Sequence, residues 1–176
     1  MPDKTSLAIS ACENAAKQYE DYFRTFTSID SKGQATATIS ALVLAAAAAF
    51  LKDEHVATLI RAGLWTLLVV VMPPVLSLIS LIVALIGSKV TEAVIPFDSP
   101  EQIREARDLT ELSNDEFTDE HVLKYYLGRL EHWIGAINSI DGVVRKKANW
   151  VLAAQLIMIL ALLSLLLLYF VILATK

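Results

Sequence analysis

The fold of this chain is decided by its last apolar stretch, which reads WVLAAQLIMILALLSLLLLYFVIL from Trp150 to Leu173 and contains no charged residue. As an α-helix, this stretch rises about 36 Å, more than the roughly 30 Å hydrocarbon core of a bilayer. Arg145, Lys146 and Lys147 precede it, as basic residues do at the cytoplasmic end of a span. We therefore predict a transmembrane helix over 150–173.

The composition agrees with an integral membrane protein. Of the 176 residues, 55% are hydrophobic and only 19% are charged. The single cysteine, Cys12, excludes an intrachain disulfide, so no oxidising compartment is implied. The first thirty residues are too polar for a cleavable leader, and none is expected.

Two earlier apolar stretches predict two further spans, over 34–51 and 63–87. In and just before the first, five small residues recur every four positions: Gly33, Ala37, Ala41, Ala45 and Ala49. Small side chains at this spacing let helices approach closely inside a bilayer. We expect this small-residue ridge to pack against a helix of the same chain or of another subunit.

The second span carries two further signals. Trp65 stands near its start, where aromatic residues anchor spans at the interface. Pro73 and Pro74 stand near its middle, and proline lacks the backbone N–H that a helix needs. We predict a kink at Pro73-Pro74, which would serve either as a hinge or as a static bend.

The segment 1–33 is predicted to be an amphipathic helix that packs on other helices. Its apolar residues alternate spacings of four and three, as the seam of a heptad repeat does. The seam consists of Ala8, Cys12, Ala15, Tyr19, Tyr22, Phe26 and Ile29.

Residues 88–118 are predicted to be an acidic connection with a short helix. The sequence Ser99-Pro100-Glu101-Gln102 is typical of a capped helix start, and we expect this helix to end near Leu109. The acidic residues are interpreted as a solvated face, or as a surface that screens a channel mouth or pairs with a basic cluster.

A long helix is predicted over 119–149, continuing unbroken into the last span. Its first seam position recurs every seven residues, at Leu123, Leu130, Ile137 and Val144. The second seam position is assigned to Leu127, Ile134 and Ala148, with Tyr126, Trp133 and Ile140 widening the apolar stripe.

The basic residues predict the orientation. With the N-terminus in the cytoplasm, only Lys52, Arg61 and Lys176 of the 15 lysines and arginines lie outside. We therefore expect an all-α membrane protein with three transmembrane helices, a cytoplasmic N-terminus and an external C-terminus. Its segments 1–33, 88–118 and 119–149 are expected in the cytoplasm, where the two long helices can pack side by side.

The sequence carries no pattern typical of an enzyme. The spans lack charged residues near their middles, which argues against an ion-coupled transporter. The three histidines have no metal-ligand spacing, and no phosphate-binding loop or nucleophile motif occurs. We expect no catalytic residue, no metal and no cofactor.

Two stretches at the membrane edge carry a resemblance. The sequence FTSIDSKG, residues 26–33, leads into the first span, and Ile137-Asn138-Ser139-Ile140 with Arg145-Lys146-Lys147-Ala148 leads into the last. With the chain length and the acidic connection, these stretches resemble the small transmembrane effectors of Pycsar anti-phage systems. SLATT-type membrane effectors look similar.

The resemblance implies a role in abortive infection at the bacterial inner membrane. In such systems a neighbouring cyclase makes a cyclic pyrimidine mononucleotide, cUMP or cCMP, and the effector then impairs the membrane. The implied partners are the lipid bilayer, further copies of the chain in a homo-oligomer, and this small-molecule signal, but no nucleic acid polymer.

A regulatory ligand of this kind carries one phosphate charge, which basic residues at the membrane edge could bind. The hypothetical ligand-binding set is Asp30, Lys32, Arg145, Lys146 and Lys147. The alternative role of these cations is to set topology and to contact lipid headgroups. A passive membrane scaffold or assembly protein and a small channel subunit are the alternative functions.

Overall fold

The computed structural model describes residues 3–52, 56, 63–89, 100–111 and 118–174, and nearly all of them are helical. The helices in these ranges are α1 (Lys4–Phe50), α2 (Leu64–Ser88), α3 (Pro100–Glu111) and α4 (Asp119–Ala174). Of these, α1, α2 and α4 are long and apolar enough to cross a membrane. The predicted all-α fold with three helices able to span a membrane is therefore confirmed.

Helices α1 and α4 each join a predicted amphipathic segment to a predicted span. Helix α1 covers most of 1–33 together with 34–50, and α4 covers 119–149 together with 150–174. Neither helix contains proline, and the single glycine of α1, Gly33, costs only about 1 kcal/mol relative to alanine. Nothing in either sequence therefore forces a helix to end at the edge of its apolar stretch.

Helix α2 begins after Gly63, whose φ of 152° is a conformation that side chains disfavour. Pro73 and Pro74 lie inside this helix, which continues to Ser88. Their missing N–H groups leave two carbonyls of the preceding turn without helical donors. The predicted kink stays a prediction.

Helix α3 occupies the part of the connection where a short helix was expected, and it ends at Glu111. Ser99, the predicted cap, lies outside the described residues, as do 90–98 and 112–117 of the acidic connection. Most of the loop between the first two spans also lies outside them.

The chain divides into two compact units. One contains Met1–Thr27 and Thr91–Arg145, and we call it the extension unit. The other contains Ser28–Val90 and Lys146–Lys176, and we call it the span unit. Helices α1 and α4 contribute to both units, whereas α2 belongs to the span unit alone.

In the extension unit, α1 packs beside α4. Cys12 donates its S–H to the carbonyl oxygen of Tyr126, with 3.1 Å between sulfur and oxygen. The rings of Tyr19 and Trp133 lie 5.6 Å apart at their centroids. Because residue numbers rise together along both helices, α1 and α4 run parallel in this unit.

In the span unit, α2 runs antiparallel to α1 and α4. Gly87 at the end of α2 lies against Val151 of α4, whereas Val70 near the start of α2 clusters with Leu168 and Ile172. Val56 belongs to the same cluster as Val70 and is fully buried. Large exposed residues cover the outer faces of α2 and α4, as lipid-facing surfaces require.

The buried face of α1 keeps one heptad phase throughout. In the extension unit, Ala8, Cys12 and Ala15 are buried and the later seam residues are half-buried, so the predicted seam faces the partner helix. In the span unit the same alternation of three and four continues through buried residues: Gly33, Thr36, Ser40, Val43 and Ala47.

The predicted second seam position of α4 is wrong by one residue. Leu127 and Ile134 are 48% and 50% exposed, whereas Ile140 is fully buried. Tyr126, Trp133 and Ile140 occupy the seam instead of merely widening it, and seven residues after Ile140 comes Lys147. The observed seam continues through Lys147. A pattern built from apolar residues passes over a lysine, and it therefore selected the neighbouring positions.

Candidate functional site

An ion pair joins α1 and α4 at the edge of their apolar stretches. Lys147 Nζ lies 2.5 Å from Asp30 Oδ1, and the Lys147 and Asp30 side chains are 3% and 28% exposed. Beyond Lys32 on α1 and Lys147 on α4, neither helix carries another charged residue. The pair therefore stands at the boundary between the charged and the uncharged parts of both helices.

The heptad phase explains why Lys147 points inward. It lies seven residues after Ile140 and seven before Ala154, and both of these residues are fully buried. Asp30 lies on α1 between the half-buried Ile29 and the buried Gly33, within reach of that position. A lysine at a seam position is tolerated because an aspartate of the neighbouring helix neutralises it.

The energetics of such a pair are asymmetric. Replacing both partners of a buried ion pair by apolar groups is often neutral, whereas removing one partner commonly costs about 3–5 kcal/mol. The pair thus contributes less to net stability than to geometry, since α1 and α4 must keep one register for Asp30 to meet Lys147. Here the more deeply buried partner is the cation.

Next to the ion pair, three helices meet around Val151. A Cβ atom built on Gly33 of α1 would lie 3.3 Å from Val151 Cγ2. A Cβ atom on Gly87 of α2 would lie 2.9 Å from the Cβ of Trp150 and 3.5 Å from Val151 Cγ2. Val151 is 4% exposed, so the two glycines make room for its side chain between the helices. We call Gly33, Gly87 and Val151 the valine layer.

Further into the span unit, a hydrogen-bond network links the same three helices. Ser80 of α2 donates to the Ala154 carbonyl of α4 at 2.8 Å. The oxygens of Ser40 and Ser80 also lie 2.8 Å apart. Because Ser80 has one hydroxyl proton and gives it to Ala154, Ser40 is the donor in the second bond. Both serines are fully buried.

The structure brings together only two members of the predicted ligand-binding set. Asp30 and Lys147 are paired with each other, whereas Lys32 and Lys146 are exposed and take part in no ion pair among the described residues. Arg145 pairs with Asp141 on its own helix at 3.0 Å, and its side chain is 77% exposed. Lys32 and Lys146 thus keep their charges available to solvent.

The small-residue ridge does not supply the packing face of α1 within the span unit. Gly33 is buried and Ala37 half-buried, but Ala41, Ala45 and Ala49 are exposed. Each step of four residues turns a helix by about 40° beyond a full circle, so the ridge drifts off the contact face. The alternating steps of three and four stay on it. A role for the exposed alanines in subunit contacts stays a prediction.

Two apolar grooves lie between α2 and α4, away from the ion pair. One has a volume of about 280 Å³ and is lined by residues including Met72, Ser164 and Leu167. The other, of about 130 Å³, reaches Val70 and Leu168, and Trp65 contributes to both. Their linings are almost entirely apolar, and they suit hydrocarbon chains better than a charged ligand.

The extension unit contains a buried thiol. Cys12 is 6% exposed. Burial raises the pKa of the Cys12 thiol above its ordinary value, and the Arg129 guanidinium opposes the rise. Burial likewise raises the pKa of Tyr19. A thiol held in its protonated form can donate to the Tyr126 carbonyl but is a poor nucleophile.

Among the residues that the structure describes, no group of three or more His, Cys, Asp and Glu side chains is placed to hold a metal ion. In comparisons with known proteins, no family model, no curated protein and no solved structure matches this chain.

Sequence reasoning missed the partnership between Asp30 and Lys147, although it singled out both residues. It predicted neither the hydrogen bonds of Ser80 nor the close approach of helices at Gly87. The signal that could have found them is the alternating spacing of small and polar residues along α2. The buried residues of that helix are Val70, Pro73, Ser77, Ser80, Ala84 and Gly87.

Proposed function

We propose that this chain is a non-enzymatic anti-phage effector that impairs the bacterial inner membrane when a cyclic pyrimidine mononucleotide, cUMP or cCMP, accumulates. The proposal adopts the orientation favoured by the basic residues, with the N-terminus in the cytoplasm and the C-terminus outside. The charged layer at Asp30 and Lys147 then faces the cytoplasm, where the nucleotide would be made.

The observation that carries the proposal is the buried ion pair between two candidate spans. Charged groups buried among membrane helices are costly, and they are retained chiefly where function uses them. The pair of Asp30 and Lys147 lies beside the valine layer, where α1, α2 and α4 meet. A change of charge at this level would act on all three helices together.

The exposed Lys32 and Lys146 would supply the positive charges that bind the nucleotide. A cyclic mononucleotide carries one negative charge, and lysine ammonium groups attract phosphate oxygens. Both lysines belong to the span unit and lie within two residues of a member of the ion pair. A nucleotide bound by them can shift the protein toward a membrane-damaging state only if it binds that state better than the resting one.

The proposal is tested by dye uptake in cells that express the chain with a pyrimidine cyclase, either active or catalytically dead. We expect uptake only with the active cyclase, and a loss of the response in the double variant Lys32→Ala, Lys146→Ala. The matched control is Lys17→Ala, Lys124→Ala, which removes two exposed lysines of the extension unit. Intact membranes with the active cyclase, in cells whose membranes contain the protein, would contradict the proposal.

A passive scaffold is the second candidate, and the close packing at the valine layer favours it. Helices that approach as closely as α2 and α4 do at Gly87 suit a bundle that keeps one arrangement. A scaffold predicts no dye uptake under any condition. A small channel subunit predicts uptake without any cyclase, so the same experiment separates all three functions.

A further inference from the structure

We infer that the ion pair between Asp30 and Lys147 is a lock that holds the span unit in its resting arrangement, so that breaking the pair is sufficient to damage the membrane without any signal. The inference rests on the proposed effector function, because membrane damage is the response that would be measured. It assigns to the ion pair the role of preventing that damage in the absence of the nucleotide.

The pair differs from every other ion pair among the described residues. The others join residues four apart on a single helix, and their arginine side chains are 72–77% exposed: Arg24 with Glu20, Arg107 with Glu111, and Arg145 with Asp141. Ion pairs of this kind contribute little to the stability of a fold. Of the ion pairs between described residues, only that of Lys147 and Asp30 joins two different helices, and its lysine is almost fully buried.

The packing around the ion pair allows only separate arrangements of α4 against α1. One turn beyond Lys147 on α4 is Val151, which fills the space between Gly33 and Gly87. If α4 shifted along α1 by one turn, Lys147 would enter this apolar layer and lose its contact with Asp30. Packed bundles therefore have separate arrangements rather than a continuous range, and the ion pair selects one of them.

The exposures of the two partners predict which substitution releases the lock more strongly. Asp30→Asn leaves Lys147 charged in a position that is 3% exposed, where water cannot replace the lost carboxylate. Lys147→Met leaves Asp30 charged in a position that is 28% exposed, where water can partly solvate it. The loss of the Asp30 carboxylate from a buried cation is the less tolerable change, so Asp30→Asn should release the lock more than Lys147→Met does.

The test measures dye uptake in cells that express the full chain and lack a pyrimidine cyclase, normalised to the amount of protein in the membrane. We expect uptake to rise by about tenfold or more with Asp30→Asn, and by less with Lys147→Met, as a two-state population is shifted. The exchanged variant Asp30→Lys, Lys147→Asp restores the pair with reversed charges, and its uptake should return toward that of the wild type.

The matched controls are Glu20→Gln and Arg24→Met. They make the same changes of charge on α1 at an exposed pair, and they should leave uptake at the wild-type level. Normal membrane content with wild-type uptake in both Asp30→Asn and Lys147→Met would overturn the lock. Loss of both variants from the membrane, with recovery in the exchanged variant, would also overturn it, because the pair would then serve folding.

The outcomes also separate the lock from the proposed ligand. If the wild type ignores an active cyclase but Asp30→Asn damages membranes and the exchanged variant does not, the nucleotide proposal fails and the lock stands. If the wild type responds to the cyclase while Asp30→Asn stays silent without it, the nucleotide proposal stands and the lock fails.

Discussion

Gly87 and Trp150 approach so closely that a Cβ atom on Gly87 would lie 2.9 Å from the Cβ of Trp150. Neither atom can move without its backbone, because a Cβ has no rotatable bond of its own. Any side chain added at Gly87 must therefore displace the backbone of α2 or of α4.

Gly87→Ala should destabilise the protein even though alanine is the better helix former. The added methyl group forces α2 and α4 apart, and overpacking of this kind costs about 1–3 kcal/mol. We expect a lower midpoint in thermal unfolding of the detergent-solubilised full chain, followed by helical circular dichroism. Gly135→Ala is the control, since its Cβ would meet nothing within 4 Å, and it should raise the midpoint. Equal shifts in the two variants would show that the close approach is absent.

Ser80→Ala should cost more than Ser40→Ala. Ser80 donates to the Ala154 carbonyl and accepts from Ser40, whereas Ser40 makes only the second of these bonds. Hydrogen bonds between membrane helices contribute about 0.6 kcal/mol on average. The double variant should cost less than the two single changes added together, because both remove the same Ser40–Ser80 bond. Additive costs in a double-mutant cycle of unfolding would contradict the network.

Ile140→Ala should be strongly destabilising, and Ile134→Ala nearly neutral. Ile140 is fully buried on the seam of α4, so its truncation should cost about 2–5 kcal/mol. Ile134 lies on the same helix and is 50% exposed, so the identical substitution there should change stability by about 0.5 kcal/mol or less. The comparison of unfolding midpoints checks the heptad phase directly, and a larger effect at Ile134 would restore the seam that the sequence predicted.

Cys12 should react slowly with a maleimide at neutral pH, and faster as the pH rises. The thiolate is the reactive form, and burial raises the pKa of the thiol, so less thiolate exists in the folded chain than in the unfolded one. A raised pKa also means that the buried thiol contributes stability below its unfolded pKa, which is lost as the pH rises through the folded one. Labelling rates of folded and urea-unfolded protein between pH 7 and pH 10 check this, and equal rates would contradict the burial.

The sequence predicted the helices well because their signals are local. Long uncharged stretches and the absence of proline from α1 and α4 are visible in single segments, and they sufficed for three helices able to span a membrane. The seam of α1 was also predicted correctly over Ala8 to Ile29, since two tyrosines and Phe26 mark its second half.

The candidate site was less predictable because it depends on which segments meet. Lys147 follows two other cations before a span, a pattern typical of a solvated membrane edge, and only the packing of α1 against α4 places it opposite Asp30. The small-residue ridge lies on the packing face within this chain only at Gly33 and Ala37, and its contact with another subunit stays a prediction. Its fixed step of four ignores the rotation that accumulates along a helix, which the three-and-four alternation cancels.

The alternation itself has a consequence for how this chain can change in length. Seven residues bring a helix back to within about 20° of its starting angle, whereas one or two residues turn it by about 100° or 200°. A deletion or duplication of seven residues in α1 and α4 together would keep every buried side chain facing its neighbour. Viable length variants of this protein should therefore differ by whole heptads, each of which adds about 10 Å to both helices.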